Sequence, residues 1–197
     1  MQELPDTSDI LVVHISDLHA RLAKRSQMEI RTKALLTDLE SIPQQIDLII
    51  FSGDSAYSGK ADEFQLAREE LFDKIVSRLR INRRRIIIVP GNHDVDRAGI
   101  NEVEEAGLRT LIVDSESAEK FLEAAADNLG RLNGYYDFLK QCKGEERTAF
   151  STSNFLIKGV NVGVAAFNSA WRSADDADKE RLFLTEAAVN KAASELE

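Results

Sequence analysis

Histidine is scarce in this chain. There are three in 197 residues, His14, His19 and His93, and none follows residue 93. Any imidazole-bearing centre must therefore be built in the first half of the sequence. Cysteine is scarcer still: the lone Cys142 excludes an internal disulfide and fits a reducing compartment, so the cytoplasm is the expected location. No apolar run approaches the roughly 18 residues that a membrane helix needs, and no contact with a membrane is expected. The acidic opening MQELPDTSD lacks the basic stretch of a signal peptide. Basic runs stop at Arg83-Arg84-Arg85, within a net charge of −9, which speaks against a long nucleic-acid duplex as substrate. Hydrophobic content of 43% with 30% charged residues is an ordinary globular composition. One domain of this length buries roughly 70% of its unfolded surface.

What is present is concentrated in three short polar clusters. Ser16-Asp17-Leu18-His19 follows the apolar run ILVVHI, Ser52-Gly53-Asp54 follows DLIIF, and Gly91-Asn92-His93-Asp94 follows RIIIVP. Asp54 lies 37 residues after Asp17, and Asn92 lies 38 after Asp54. That is the length of a strand–helix–strand unit, so the three clusters are expected at the same end of neighbouring parallel strands, with Asp54 in the middle. Carboxylate, imidazole and amide converging there suit Mn, Fe or Zn. A central carboxylate can bridge two such ions about 3.5–4 Å apart. Gly53 and Gly91 let the backbone turn sharply after each strand.

The periodicities supply the rest of the frame. Strands are expected over Ile10–Ser16, Asp47–Ser52 and Arg85–Val89, and helices over Gln27–Ser41 and Asp62–Leu79. The continuous apolar strands read as covered on both faces, with His14 packed inward. From about 100 to 143 the chain is rich in Ala, Glu and Leu at helical spacing. It reads as an insertion of two or three helices, either a cap over the active-site edge or a surface helical layer. Ser153 to Asn168, with Lys158-Gly159, predicts a hairpin that starts a second sheet, and Phe183–Leu196 predicts a terminal helix. The fold class is therefore α/β, one domain over residues 1–197.

At the three clusters the chain resembles the calcineurin-like metallophosphoesterases, whose signature is D-x-H, then G-D, then G-N-H-[DE]. A fainter likeness lies in FNSAW, Phe167 to Trp171. The resemblance implies that family's fold and a dinuclear centre with a bridging hydroxide that hydrolyses phosphate esters, phosphodiesters before monoesters. The implied cofactors are two divalent ions, manganese first, with iron, zinc or nickel as alternatives. Carried over by position, Asp17 and His19 would bind the first ion, Asp54 would bridge and Asn92 would bind the second. His93 would protonate the leaving oxygen. The substrate would be a phosphate ester, with nucleotides and nucleic acids included.

The family's pattern closes with a further His and a G-H-x-H pair, and this chain has neither. The first ion would keep Asp17, His19 and Asp54, and the second only Asp54 and Asn92. The expectation is thus an N-terminal part of a longer phosphoesterase, weakly active or inactive alone; the alternative is a complete protein with a degenerate half-site. One branch of the family pairs its catalytic His with an Asp three residues after the bridging one. Tyr57 stands there, so Asp94 is assigned to the catalytic group as the orienter of His93. Tyr57, Arg97 and Asn168 are weighed as further lining residues. Two other readings are kept: a nuclease of the same superfamily, and a non-catalytic sensor or scaffold domain.

Overall fold

Ile and Val dominate the three apolar runs, and each run becomes a short strand: β1 Val12–Ile15, β2 Leu48–Phe51 and β3 Ile86–Ile88. The computed structural model describes residues 9–125, 130–145, 149–175, 178 and 182–197. The strands run parallel in the order β1-β2-β3, with Val12 opposite Leu48, Ile15 opposite Phe51, and Phe51 opposite Ile88. The strand that leads into Asp54 is the central one, as the even spacing predicts.

Helix α1, Arg25–Ser41, crosses from β1 to β2. The return to β3 runs through α2 (Ala61–Ala67), a π-helical turn (Arg68–Phe72) and α3 (Asp73–Leu79), in place of the single regular helix that the spacing predicts. The wider turn buries Leu71 and Phe72, and the Phe72 ring sits 4.3 Å from that of Phe51 in β2. This helical run therefore covers one face of the sheet.

After the third cluster come α4 (Glu102–Leu111), α5 (Ser115–Ala125) and α6 (Asn133–Lys143). Helix α6 packs on α2: the Phe138 ring lies 5.3 Å from Phe64 and 5.0 Å from Phe72. The Tyr135 hydroxyl donates to the Ile88 carbonyl at 3.0 Å. Helix α4 is anchored by buried Glu105, which pairs with buried Arg131 and Arg172. Of the two readings of this segment, its packing is that of an added helical layer.

The predicted hairpin forms as β4 (Phe150–Ile157) and β5 (Val160–Phe167), antiparallel and joined by Lys158-Gly159. Helix α7, Glu186–Leu196, is tied to β4 by a Thr152–Glu195 hydrogen bond of 2.7 Å. The hairpin is fastened to the first sheet at the end remote from the polar clusters. There, buried Asp47 accepts from Leu11 N–H at 2.9 Å and from Lys158 Nζ at 2.9 Å, with Arg85 at 3.8 Å. Burial pushes the Asp47 carboxyl up, but the Leu11 N–H and the Lys158 and Arg85 charges outweigh it and hold the group below the usual carboxylate range.

One expectation is corrected at β1. Val12 is 43% exposed and His14 is exposed, its Nε2 2.6 Å from Ser52 Oγ, so His14 is not a core residue. Both β1 and β3 lie at an edge of the three-stranded sheet, but β1 buries less than β3 or the central β2.

Candidate metal centre

Beyond the ends of β1 and β2 the two chains stay paired. Asp17 N–H donates to Gly53 O at 3.2 Å, His19 N–H to Asp54 O at 2.8 Å, and Ala20 N–H to Ser55 O at 3.0 Å. This continued pairing sets the first two clusters side by side. The third is pressed against the second. A Cβ added to Gly53 would fall 2.7 Å from Gly91 Cα, and one added to Gly91 would fall 2.1 Å from Asp54 Oδ1. Gly53, at φ 113, also needs glycine's backbone freedom. The two glycines of the motifs thus serve close approach between loops. Asp54 Oδ1 accepts the His93 N–H at 3.0 Å across that contact.

The side chains converge on His19. Its Nε2 lies 3.5 Å from Asp17 Oδ1 and 3.9 Å from Asp54 Oδ2. Nitrogen and oxygen donors sit about 2.0–2.2 Å from an ion, so two donors sharing one ion are about 3–4 Å apart, the range found here. His19, Asp54 and His93 each offer a donor atom within 4.8 Å of the others. His19 Nδ1 is buried without a hydrogen-bond partner among the described residues, an orphaned polar atom that a bound ion or water would satisfy. The donor set therefore fits a divalent cation. Backbone strain accompanies it: Asp17, His19 and Asp54 have φ of 59, 47 and 58, the left-handed region that non-glycine residues seldom occupy.

His93 stands edge-on to His19, ring centroids 4.5 Å apart, and its Nδ1 lies 2.8 Å from the Tyr57 carbonyl. A carbonyl only accepts, so Nδ1 carries the proton of that bond and Nε2 is left for an ion or a substrate oxygen. Asn92 begins the same short 3-10 turn, Asn92–Asp94, with its side chain exposed; position alone sets it beside the cluster.

Asp94 corrects the sequence reading. It is fully buried, its Oδ1 accepting from Ala56 N–H at 2.8 Å and its Oδ2 from Gly91 N–H at 2.9 Å. It faces backbone and staples the loop after β2 to the loop after β3, while the Tyr57 carbonyl takes the place beside His93 Nδ1. Burial pushes its carboxyl up to about 6, against the pull of the Gly91, Ala56 and Ser55 N–H groups and with the Asp54 charge adding to the rise. Asn168 is buried, with Nδ2 donating to Tyr136 Oη at 2.9 Å, and shares a small cavity with Val89 and Pro90 at the end of β3. Arg97 lines a cleft of about 250 Å³ that shares Tyr57 and His93 with the centre.

A cavity of about 340 Å³ opens on the centre from the α1 side, lined by Asp17, His19 and His93 together with Arg21, Lys24, Gln27, Arg31 and Tyr57. None of the lining comes from the described residues of 100–143. Sequence reasoning passed over the three cations, although Lys24, Gln27 and Arg31 recur at the spacing of one helical face.

Acidic and imidazole donors at the C-terminal edge of a parallel sheet, on strained loops, define an α/β protein with a candidate metal centre. Residues 10–185 match the model of the calcineurin-like phosphoesterases, and the chain belongs to that family. It is also similar to a Bacillus subtilis (strain 168) protein described as "Uncharacterized metallophosphoesterase-like protein YydB", at 24% identity over 191 residues. That match covers 91% of this chain and 37% of the other, so the chain spans well under half the length of this relative.

Proposed function

We propose that the chain carries the catalytic centre of a metal-dependent phosphoester hydrolase that prefers diesters, with Asp54 bridging two divalent ions. The observation that carries this reading is the convergence of His19, Asp54 and His93 within 4.8 Å, with Asp17 3.5 Å from His19, where Asp17, His19 and Asp54 have strained backbone and a cavity opens alongside. When bound, the ions would acidify a water and neutralise the phosphoryl oxygens. The protein's own part is to hold and orient. Asp17 and His19 complete three donors for one ion with Asp54, whereas the second ion has Asp54 and Asn92. The Tyr57 carbonyl fixes the His93 ring so that its Nε2 can deliver a proton to the leaving oxygen. Manganese is the expected ion, because most of the proposed donors, the carboxylates of Asp17 and Asp54 and the amide of Asn92, are oxygens that suit it.

The test is hydrolysis of an aryl phosphodiester and the matching monoester by the 197-residue chain. Manganese in millimolar excess would populate the weaker position. Slow turnover that favours the diester, stops with a chelator and is lost in Asp54→Asn is expected. Asn tolerates the left-handed backbone and can still accept the His93 N–H, so this variant removes charge without removing shape. Turnover that survives the chelator or the substitution would refute the reading, and preference for the monoester would refute the diester assignment.

A further inference from the structure

Most charged residues around the first two helices are matched. Arg25 pairs with Glu29 and Glu70, Lys74 with Glu70, Arg78 with Glu40, and Arg68 and Arg83 both with Asp73. Arg21, Lys24, Arg31 and Lys33 break this pattern among the described residues, and the first three line the same cavity. Arg21, Lys24 and Arg31 have no carboxylate partner among the described residues. The chain has 34 acidic against 25 basic side chains, so unmatched cations should be rare, and three on one wall leave a positive face open to a ligand. Arg21 is also oriented: its guanidinium lies 4.3 Å above the ring of Tyr57, which is itself 40% exposed. Lys24, which caps α1, and Arg31 are seven residues apart, or about 10 Å along the helix axis, so the positive wall is longer than a single phosphate. The volume, about 340 Å³, falls within the roughly 300–1,000 Å³ of small-molecule sites.

We propose that this cavity binds a second phosphate of the substrate, so that the substrate class is a phosphoester bearing a further phosphate beyond the one attacked at the metal centre. The identification of the ligand as substrate rests on the function proposed above. Arg21 and Arg31 present forked donors suited to phosphate oxygens, and Lys24 adds a point charge between them. Gln27 supplies a neutral donor on the same face. Tyr57, under Arg21, offers a flat surface for a base where the second phosphate is borne by a nucleotide.

The test is direct binding in chelator-containing, metal-free buffer, measured by calorimetry on the 197-residue chain. The probes are a thymidine dinucleotide with a 5′-phosphate, the same dinucleotide without it, and inorganic pyrophosphate as the arm without a base. The 5′-phosphate is expected to tighten binding by about tenfold, as charge-assisted contacts would. In Arg21→Ala/Arg31→Ala that preference collapses towards one, and pyrophosphate binding falls with it. Lys33→Ala, on the same helix but outside the cavity, keeps the preference. Equal binding of the two dinucleotides, or an unchanged preference in the double variant with its melting temperature intact, overturns the inference. Single Arg31→Glu, at an exposed position, repeats the test should the double variant fold poorly. Hydrolysis without the phosphate preference would sink this inference alone; the preference without hydrolysis would sink the functional reading alone.

Discussion

Of the five described non-glycine residues with left-handed backbone, Asp17, His19 and Asp54 belong to the motif loops, while Arg80 ends a helix and Lys158 turns a hairpin. Strain of this kind costs on the order of 1–3 kcal/mol per residue and persists where the surroundings enforce it. Here the enforcing surroundings are the backbone bonds between the two loops and the contact of Gly53 with Gly91. His93 is the residue with two readings, proton donor or ion ligand, because its Nε2 is uncommitted. His93→Ala should leave manganese affinity nearly intact while turnover falls roughly 10²–10⁴-fold, the usual worth of a positioned acid. A parallel loss of manganese affinity would instead make His93 a ligand. Asp94 behaves otherwise. In Asp94→Asn an amide N–H₂ would replace an oxygen that accepts a backbone N–H, at a cost of about 1–3 kcal/mol. Thermal melting should register that loss. A variant as stable as the parent with impaired turnover would return Asp94 to a chemical role. The sequence could not separate these cases, since a carboxylate after a histidine reads alike whether it faces the ring or its own backbone.

Strand β2 carries a carboxylate at each end, and the two are used differently. Asp54, beyond the C-terminal end, faces His19 and His93; Asp47, at the N-terminal end, is buried among Leu11 N–H, Lys158 and Arg85. Because its folded pKa lies below its unfolded one, Asp47 contributes stability that is present above the unfolded value near 3.8 and is lost as pH falls through the folded value. Asp47→Asn should therefore melt well below the parent at neutral pH, and the gap should close under acid conditions below about pH 3–4. A gap that is constant with pH would mean that packing, and not this charge cluster, joins the hairpin to the sheet. The strands, their order and the hairpin turn were legible because apolar runs, spacing and Lys158-Gly159 are local signals. The Asp47–Lys158 pair, 111 residues apart, has no local signal. The π-helical turn at Arg68–Phe72 also escaped, since one continuous apolar period covers it.

At the scale of the whole molecule, the sheet and two interlocked loops do one job: they bring donors that are 37 and 38 residues apart to a single edge. Among the helices from Glu102 to Lys143, α6 packs against α2, and no described residue of theirs lines the cavity at the centre. That distinction was out of reach of a composition reading, because a cap and a layer are equally amphipathic. The three cations Arg21, Lys24 and Arg31, at and before the start of α1 and within it, were equally opaque one at a time; only the fold shows that they share a wall. The central claim is that Asp54 joins the strand-end residues into a metal centre, and calorimetric titration of the 197-residue chain with manganese tests it most directly. The account predicts one tightly held ion per chain, lost in Asp54→Asn while the melting temperature stays within a few degrees of the parent. Manganese binding by Asp54→Asn with the parent's stoichiometry and affinity would contradict it.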